Sequence, residues 1–113
     1  MRVDHKYILE MIKPGSHVLD LGCGDGKLLS LLKERNNCRT TGIEIDEKAI
    51  YKCVEHGVTV SHGDIDSGLS DYGDKRFDYV ILNESLQEVL SPEKVILEAL
   101  RVGKNFSAPP PGG

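Results

Sequence analysis

Short apolar segments of strand length alternate along this chain with segments that have the periodicity of a helix. The runs His17 to Leu21 and Phe77 to Leu82 are almost continuously apolar, which is typical of strands buried on both faces. The segment Lys27 to Arg35 instead repeats leucines at helical spacing. Alternation of this kind predicts an α/β fold with a parallel sheet.

Turn and capping residues delimit the predicted elements. Pro14-Gly15 ends a first helix, Asp46 is a suitable N-cap, Gly57 a C-cap signal, and Ser91-Pro92 opens a last helix. The predicted helices are Asp4 to Ile12, Lys27 to Arg35, Glu47 to His56 and one beginning at Ser91; the predicted strands are His17 to Leu21, Arg39 to Glu44, Val58 to Ser61 and Phe77 to Leu82.

A glycine-rich loop follows the first strand directly. Gly22, Gly24 and Gly26 alternate with Cys23 and Asp25 just before the helix at Lys27. Glycines in such a loop permit positive φ and let a ligand reach the backbone amides. We interpret Cys23 as a small filler of this loop and not as a nucleophile.

The spacing of this loop departs from a dinucleotide site. That site requires Gly-x-Gly-x-x-Gly, and here the third glycine, Gly26, comes one residue early. Asp20, two residues before Gly22, would also repel a diphosphate. A ligand with a cationic end and no phosphate, such as S-adenosylmethionine, suits the acid better.

At these residues the chain resembles the class I S-adenosylmethionine-dependent methyltransferases, whose first motif reads apolar-apolar-Asp-apolar-Gly-x-Gly-x-Gly. Glu44 lies about 20 residues beyond the loop, the spacing at which a carboxylate reaches ribose hydroxyls; the alternative is a solvated strand end. The resemblance implies that Asp64 lies near the adenine amino group, unless it is only a polar turn residue. Asn83, at the carboxyl end of the fourth strand, is expected near the methionine part. Ile45 and Ile65, beside the two acids, complete the predicted cofactor-binding residues.

A closer resemblance, to the MetW family of methionine biosynthesis, extends from residue 1 to 103. It is carried by Pro-Gly-Ser-His-Val-Leu-Asp-Leu-Gly-Cys-Gly-Asp-Gly-Lys-Leu-Leu, Gly-Ile-Glu-Ile-Asp, His-Gly-Asp-Ile-Asp-Ser-Gly-Leu and Phe-Asp-Tyr-Val-Ile-Leu-Asn-Glu-Ser-Leu-Gln-Glu-Val. The resemblance implies a Rossmann-like, doubly wound parallel sheet, here limited to about four strands in the order 3-2-1-4. The chain would then be the N-terminal, cofactor-binding portion of the fold, with residues 1–105 as its domain.

Two function classes follow from this resemblance. The first is a methyltransferase of the MetW type, linked to methionine biosynthesis. The second is a non-catalytic, S-adenosylmethionine-binding regulatory partner of homoserine O-acyltransferase. Methyl transfer from a sulfonium mainly requires positioning and a dry site, and no residue stands out as a catalytic base.

Composition excludes several other classes. The 113 residues are enough for one domain, and the net charge of −4 without a basic run argues against a nucleic-acid partner. No segment is apolar enough for a membrane span. The three cysteines indicate a reducing cytoplasm, and the four histidines show no metal-ligand spacing.

The C-terminal residues break the pattern. Three prolines at 109–111 argue against a central strand, so residues 106–113 are predicted to form a flexible Pro/Gly-rich tail. The free edge of the fourth strand then predicts a homo-oligomer through that edge. The alternative is that the tail folds back over it.

Overall fold

A computed structural model describes residues 2–82 and 89–107 of the chain. Its elements, in chain order, are α1 (Val3–Met11), β1 (His17–Leu21), α2 (Lys27–Asn36), β2 (Arg39–Glu44), α3 (Glu47–Glu55), β3 (Val60–His62), a 3-10 turn (Ile65–Ser67), β4 (Phe77–Ile81), α4 (Pro92–Val102) and β5 (Gly103–Ser107). The predicted elements are all present, with ends that differ by one or two residues. Asp46 caps α3 as expected, since its carboxylate accepts from the Lys48 amide at 3.0 Å.

The strands form one parallel sheet in the order β3-β2-β1-β4-β5. β1 lies at its centre and pairs with both β2 and β4. The register sets Asp20 opposite Gly42 of β2 and Ile81 of β4. The carboxyl ends of the three central strands therefore meet at one edge of the sheet.

The expected count of four strands was one too few. β5 follows α4 without a linker, because the chain turns into extended conformation at Gly103 (φ −108°, ψ 145°). A Cβ at Gly103 would lie 2.5 Å from Val80 Cγ2 and 3.1 Å from the Ala99 carbonyl oxygen, so a residue with a side chain would not fit this turn without a shift. The three prolines that argued against a fifth strand follow it in sequence.

β5 also removes the reason for the predicted homo-oligomer. It pairs in parallel with β4, with Phe106 opposite Val80 and Ser107 opposite Ile81. The β4 edge is thus covered by a strand of the same chain. Residues 106 and 107, which were predicted to belong to the tail, are part of that strand, so for these two residues the alternative prediction of a tail over this edge applies. The rest of that tail, residues 108–113, lies outside the described residues.

Two apolar clusters pack on the sheet. Val18 belongs to the cluster formed with α1, α2 and α3, whereas Leu19 and Leu21 belong to the cluster formed with α4. Because successive side chains of a strand point to opposite faces, helices cover both faces of the sheet, as a doubly wound fold requires. The same alternation places Asp20 on the face covered by α1 and α2. Within residues 2–82 and 89–107, no helix has the length and apolar character to span a membrane.

Candidate functional site

The glycine loop, residues 22–26, leaves β1 and enters α2 with three residues in left-handed conformation. Gly22, Gly24 and Gly26 have φ of 73°, 60° and 80°. A Cβ at Gly24 would meet no atom of the described residues within 4 Å, whereas one at Gly26 would lie 2.9 Å from Cys53 Sγ. The loop is therefore packed against α3 at Gly26 and open at Gly24, where its backbone faces free space.

Hydrogen bonds from β2 hold this loop in place. The amides of Gly22 and Cys23 donate to the Ile43 carbonyl at 2.8 and 3.1 Å. Glu44 Oε1 accepts from the Gly24 amide at 2.8 Å, and Glu44 Oε2 accepts from the amides that follow it, including that of Asp46 at 2.9 Å. Glu44 thus joins the end of β2 to the most open point of the loop.

A cavity of about 320 Å³ lies beside the loop, on the α1 and α2 side of the sheet. Residues from the N-terminal end of α1, from β1, the loop and the first turn of α2 line it: Arg2, which precedes α1, and His5, Asp20, Gly22, Cys23, Gly24, Asp25, Lys27 and Leu28. Its lining contains acidic and basic side chains next to open backbone. Such a lining suits a ligand that carries both signs of charge.

Asp20 is a buried acid in the lining of this cavity. Its side chain is almost completely buried, at 2% exposure, and Oδ1 has no hydrogen-bond partner among the described residues. Burial, and then the negative charge of Glu44, raise the pKa of Asp20 to about 8. A cationic group in the cavity would supply the missing partner and favour the ionised carboxylate.

His5 is a cavity residue to which sequence reasoning gave no role. It lies in α1, 5% exposed, and its Nδ1 is buried without a partner in the described parts of the chain. Burial lowers the pKa of His5, which favours the neutral imidazole. The available signal was its place in the apolar stripe of α1, where Ile8 and Ile12 follow at helical spacing.

Cys23 packs in the loop. Its Sγ lies 3.7 Å from Cys53 Sγ, and both side chains are buried. Gly42 leaves room for it, since a Cβ there would lie 2.5 Å from Cys23 Sγ. Burial strongly raises the pKa of the Cys23 thiol. The reactive thiolate is therefore scarce, in line with a filler role.

Asp64 lies at a second, smaller cavity of about 130 Å³, which Gly63, Leu69 and Tyr72 also line. Its carboxylate caps the 3-10 turn by accepting from the Asp66 amide at 2.9 Å. The neighbouring acid Asp66 has a different task, because its carboxylate accepts from the Leu90 and Ser91 amides at 2.9–3.0 Å. Ser91, expected to cap α4 with its own side chain, makes no such bond, and Asp66 binds its amide instead.

Three predicted residues remain, and each is in a different situation. Ile45 is 58% exposed at the end of β2. Ile65 is partly buried and packs against the α4 cluster. Asn83 lies outside the described residues. The structure therefore brings Asp20, Gly22, Cys23 and Gly24 to one cavity. Gly26 packs the end of the loop against α3, Glu44 binds the loop at Gly24, and Asp64 lies at another cavity.

Solved structures define the class to which this fold belongs. An S-adenosylmethionine-dependent methyltransferase from Archaeoglobus fulgidus is 26% identical, with a TM-score of 0.78 over 88% of this chain and 45% of its own. The [4+2]-cyclase SpnF is 27% identical, with a TM-score of 0.81 over 92% of this chain and 42% of its own. The sheet order and these likenesses give the fold of class I S-adenosylmethionine-dependent methyltransferases.

Within this class, the sequence profile of the family described as "Methionine biosynthesis protein MetW" matches residues 2–111, and the chain belongs to that family. A "Bifunctional methionine biosynthesis protein MetXA/MetW" from Rhodopirellula baltica is 38% identical over 93% of this chain. The chain spans 18% of the length of that relative, and about half or less of the length of the two solved structures above.

Proposed function

We propose that this chain binds S-adenosylmethionine in the 320 Å³ cavity, with the cationic amino end beside Asp20. The observation that carries the proposal is the buried Oδ1 of Asp20, which has no partner in the described part of the chain and lies next to the open backbone of the glycine loop. A buried acid without a partner is costly to the fold. A bound ammonium would offset that cost. The group that destabilises the unliganded protein would therefore also bind the ligand.

The nucleoside part of the cofactor would extend past Gly24 towards Glu44 and Asp64. Glu44 already accepts three amide hydrogen bonds, and a carboxylate offers about four acceptor positions. We assign the remaining acceptor position to a ribose hydroxyl, which donates. Asp64, at the second cavity, is assigned the adenine amino group.

We further propose that the chain takes part in methyl transfer related to methionine biosynthesis. Bound S-adenosylmethionine would supply an activated methyl group on its sulfonium. The chain's own contribution would be to hold the amino-acid end at Asp20 and to keep the loop rigid through Glu44. Such positioning accounts for much of the rate gain when the transferred group is already activated.

The second candidate is a regulatory subunit that binds the same ligand and acts on homoserine O-acyltransferase. It is favoured by the relative whose name joins MetXA and MetW in one chain. A fold also hosts more than one chemistry, as the cyclase with this architecture illustrates. Three free cysteines support a reducing, cytoplasmic location for either role.

Calorimetric titration of the full chain with S-adenosylmethionine, S-adenosylhomocysteine and NAD tests the binding proposal. Both adenosyl ligands should bind and NAD should not. Tighter binding of NAD would overturn the assignment, because the diphosphate would then be tolerated beside Asp20.

A second experiment separates the two functions. The liganded protein is mixed with candidate methyl acceptors and, separately, with homoserine O-acyltransferase. Accumulation of S-adenosylhomocysteine supports the transferase. A changed acyltransferase rate without ligand turnover supports the regulator.

A further inference from the structure

One wall of the second cavity is a segment that has no regular structure of its own. Residues 68–76 connect the 3-10 turn to β4 and form neither helix nor strand. Gly68, Leu69 and Tyr72 of this segment line the cavity, and the Tyr72 amide closes a turn by donating to the Leu69 carbonyl at 3.0 Å. A segment without regular hydrogen bonding depends on neighbouring elements for its conformation.

Arg101, in the last turn of α4, binds this wall through its backbone. Arg101 Nη2 donates to the Leu69 carbonyl at 2.8 Å, and Nη1 donates to the Tyr72 carbonyl at 2.9 Å. The carbonyl of Arg101 also accepts from the Lys75 amide at 2.8 Å. Because the guanidinium is planar and its donors are fixed relative to one another, the two carbonyls that it binds are held in a fixed relation.

Glu98 lies one turn earlier in α4 and acts on the same segment. Its Oε2 accepts from Arg101 Nε at 2.6 Å, and its Oε1 accepts from the Leu69 amide at 3.2 Å. The bond from Arg101, followed by that from the Leu69 amide, lowers the pKa of the Glu98 carboxyl and so favours its ionised form. Both backbone polar groups of Leu69 are thus bound by α4 side chains, and the Leu69 side chain is buried in the α4 cluster.

These bonds differ from an ordinary ion pair at the surface. Arg101 makes such a pair with Asp74 at 3.0 Å, but the Asp74 side chain is 80% exposed, and exposed pairs contribute little to stability. The bonds to Leu69 and Tyr72 instead fix two residues that line the cavity. The arrangement of Arg101 therefore determines the shape of the cavity wall.

We propose that Arg101 is a positioning residue for the base of the ligand, because it holds Leu69 and Tyr72 in the conformation that binds the base. This inference rests on the proposed assignment of the adenine to the second cavity. It adds that α4, which does not itself line the cavity, controls how strongly the base is bound. Without Arg101 only a fraction of the molecules would have the wall in place, and the affinity would fall in proportion to that fraction.

The test compares two ligands that share the ribose, the thioether and the amino-acid end. S-adenosylhomocysteine carries adenine, and S-ribosylhomocysteine does not. Calorimetry on the full chain, with displacement titration for the weaker ligand, should show that the natural protein prefers S-adenosylhomocysteine.

Arg101→Lys keeps the positive charge but loses the planar pair of donors. It should lower the affinity for S-adenosylhomocysteine roughly five- to tenfold, as expected if the wall is in place about a fifth to a tenth of the time. The affinity for S-ribosylhomocysteine should change less than about twofold, since that ligand makes no use of the wall.

Amide hydrogen exchange measures the wall directly. In Arg101→Lys the amides of Leu69 and Tyr72 should exchange faster than in the natural protein, and saturating S-adenosylhomocysteine should restore their protection. Glu98→Ala removes the acceptor of the Leu69 amide and a partner of the guanidinium. It should change affinity and exchange in the same direction, so it decides the matter if Arg101→Lys does not fold.

Two variants are matched controls. Asp74→Ala removes the exposed ion pair and leaves the bonds to the two carbonyls. Arg35→Lys makes the same exchange of side chains at an exposed arginine in the last turn of α2. Neither should change the affinity for either ligand.

Equal weakening of both ligands by Arg101→Lys would show a purely structural role and overturn the inference, and so would unchanged affinities or unchanged exchange. Equal affinities of the natural protein for the two ligands would also overturn it, because the base would then gain nothing from the second cavity. If the natural protein binds S-adenosylhomocysteine in those cases, the proposed binding of the cofactor still stands. If it binds neither ligand, the proposed function fails, and the inference fails with it.

Discussion

Replacing Asp20 with asparagine should stabilise the unliganded protein and lower its affinity for the ligand. Asparagine is close in shape to a protonated aspartate but has no proton to lose. The pKa of Asp20 is raised from an ordinary 3.8 to about 8 in the folded protein. The folded state therefore holds this proton more tightly than the unfolded chain does.

The sign and size of the effect follow from linkage. The contribution of Asp20 to the free energy of unfolding is fully present below pH 4 and is lost as the pH rises through about 8. A difference of about 4 pH units, at about 1.4 kcal/mol each, sets a ceiling of about 6 kcal/mol. Because relaxation and water penetration reduce such effects, we expect Asp20→Asn to gain about 2–4 kcal/mol over the natural protein at pH 8 and almost nothing at pH 4.

Thermal unfolding of both proteins across pH 4–9 measures this gain. For a domain of this size, about 1 kcal/mol moves the Tm by roughly 4–8 °C, so the two Tm curves should separate by 8 °C or more at pH 8 and converge at pH 4. Calorimetry should show that S-adenosylhomocysteine binds Asp20→Asn roughly ten- to a hundredfold more weakly, since a charge-assisted hydrogen bond is lost.

Proton release gives an independent readout of the same group. At pH 7 a cationic ligand must displace the Asp20 proton, so titrations in buffers of different ionisation enthalpy should show release of almost one proton by the natural protein and less by Asp20→Asn. Parallel Tm curves, together with equal affinities and equal proton release, would refute the reasoning.

The remaining predictions concern the loop and the sheet. Gly24→Val should abolish ligand binding, because the side chain would occupy the open space at φ 60°; Gly15→Val carries similar backbone strain at φ 80° with nothing nearby, and should bind normally if folded. Glu44→Ala should lower the affinity for S-adenosylhomocysteine, measured by calorimetry, by roughly tenfold or more. Unchanged affinity in a folded variant would show that Glu44 is only a solvated residue at a strand end. Gly103→Ala should lower the free energy of unfolding by about 1–3 kcal/mol because its Cβ meets Val80, whereas Gly73→Ala, with open space around it, should leave the Tm unchanged.

Local signals in the sequence predicted much of this fold. The bounds of β1 and β2 follow from dense apolar or β-branched runs between turn residues, and the glycine loop from three glycines at fixed spacing. β5 was missed because the three prolines at 109–111 argued against a strand in this part of the chain, whereas β5 ends at Ser107, before them. The pairing of β5 with β4 depends on the close packing of Gly103 against Val80 at the end of α4. This packing exists only once the sheet has formed.

The cavity was less predictable than the loop beside it. Asp20 was predicted from its place before the glycines, but its burial and raised pKa depend on α1 and α2 closing over the carboxyl end of β1. His5 is 15 residues away from Asp20 in sequence and has no motif around it. Only the packing of α1 brings His5 and Asp20 to one cavity. The triple hydrogen bonding of Glu44 likewise depends on a side-chain conformation that residue spacing does not encode.

Both candidate functions share the same source of binding energy. Among the described residues, Asp20 Oδ1 and His5 Nδ1 are buried without a hydrogen-bond partner, and Glu44 accepts from the Gly24 amide of the loop at 2.8 Å. Stability of the fold and affinity for the ligand should therefore change in opposite directions at these positions. A substitution that removes the buried polar group should raise the free energy of unfolding and lower the affinity for the ligand. Such opposite changes are the signature of a binding site, since a residue that serves packing alone would lose stability on substitution.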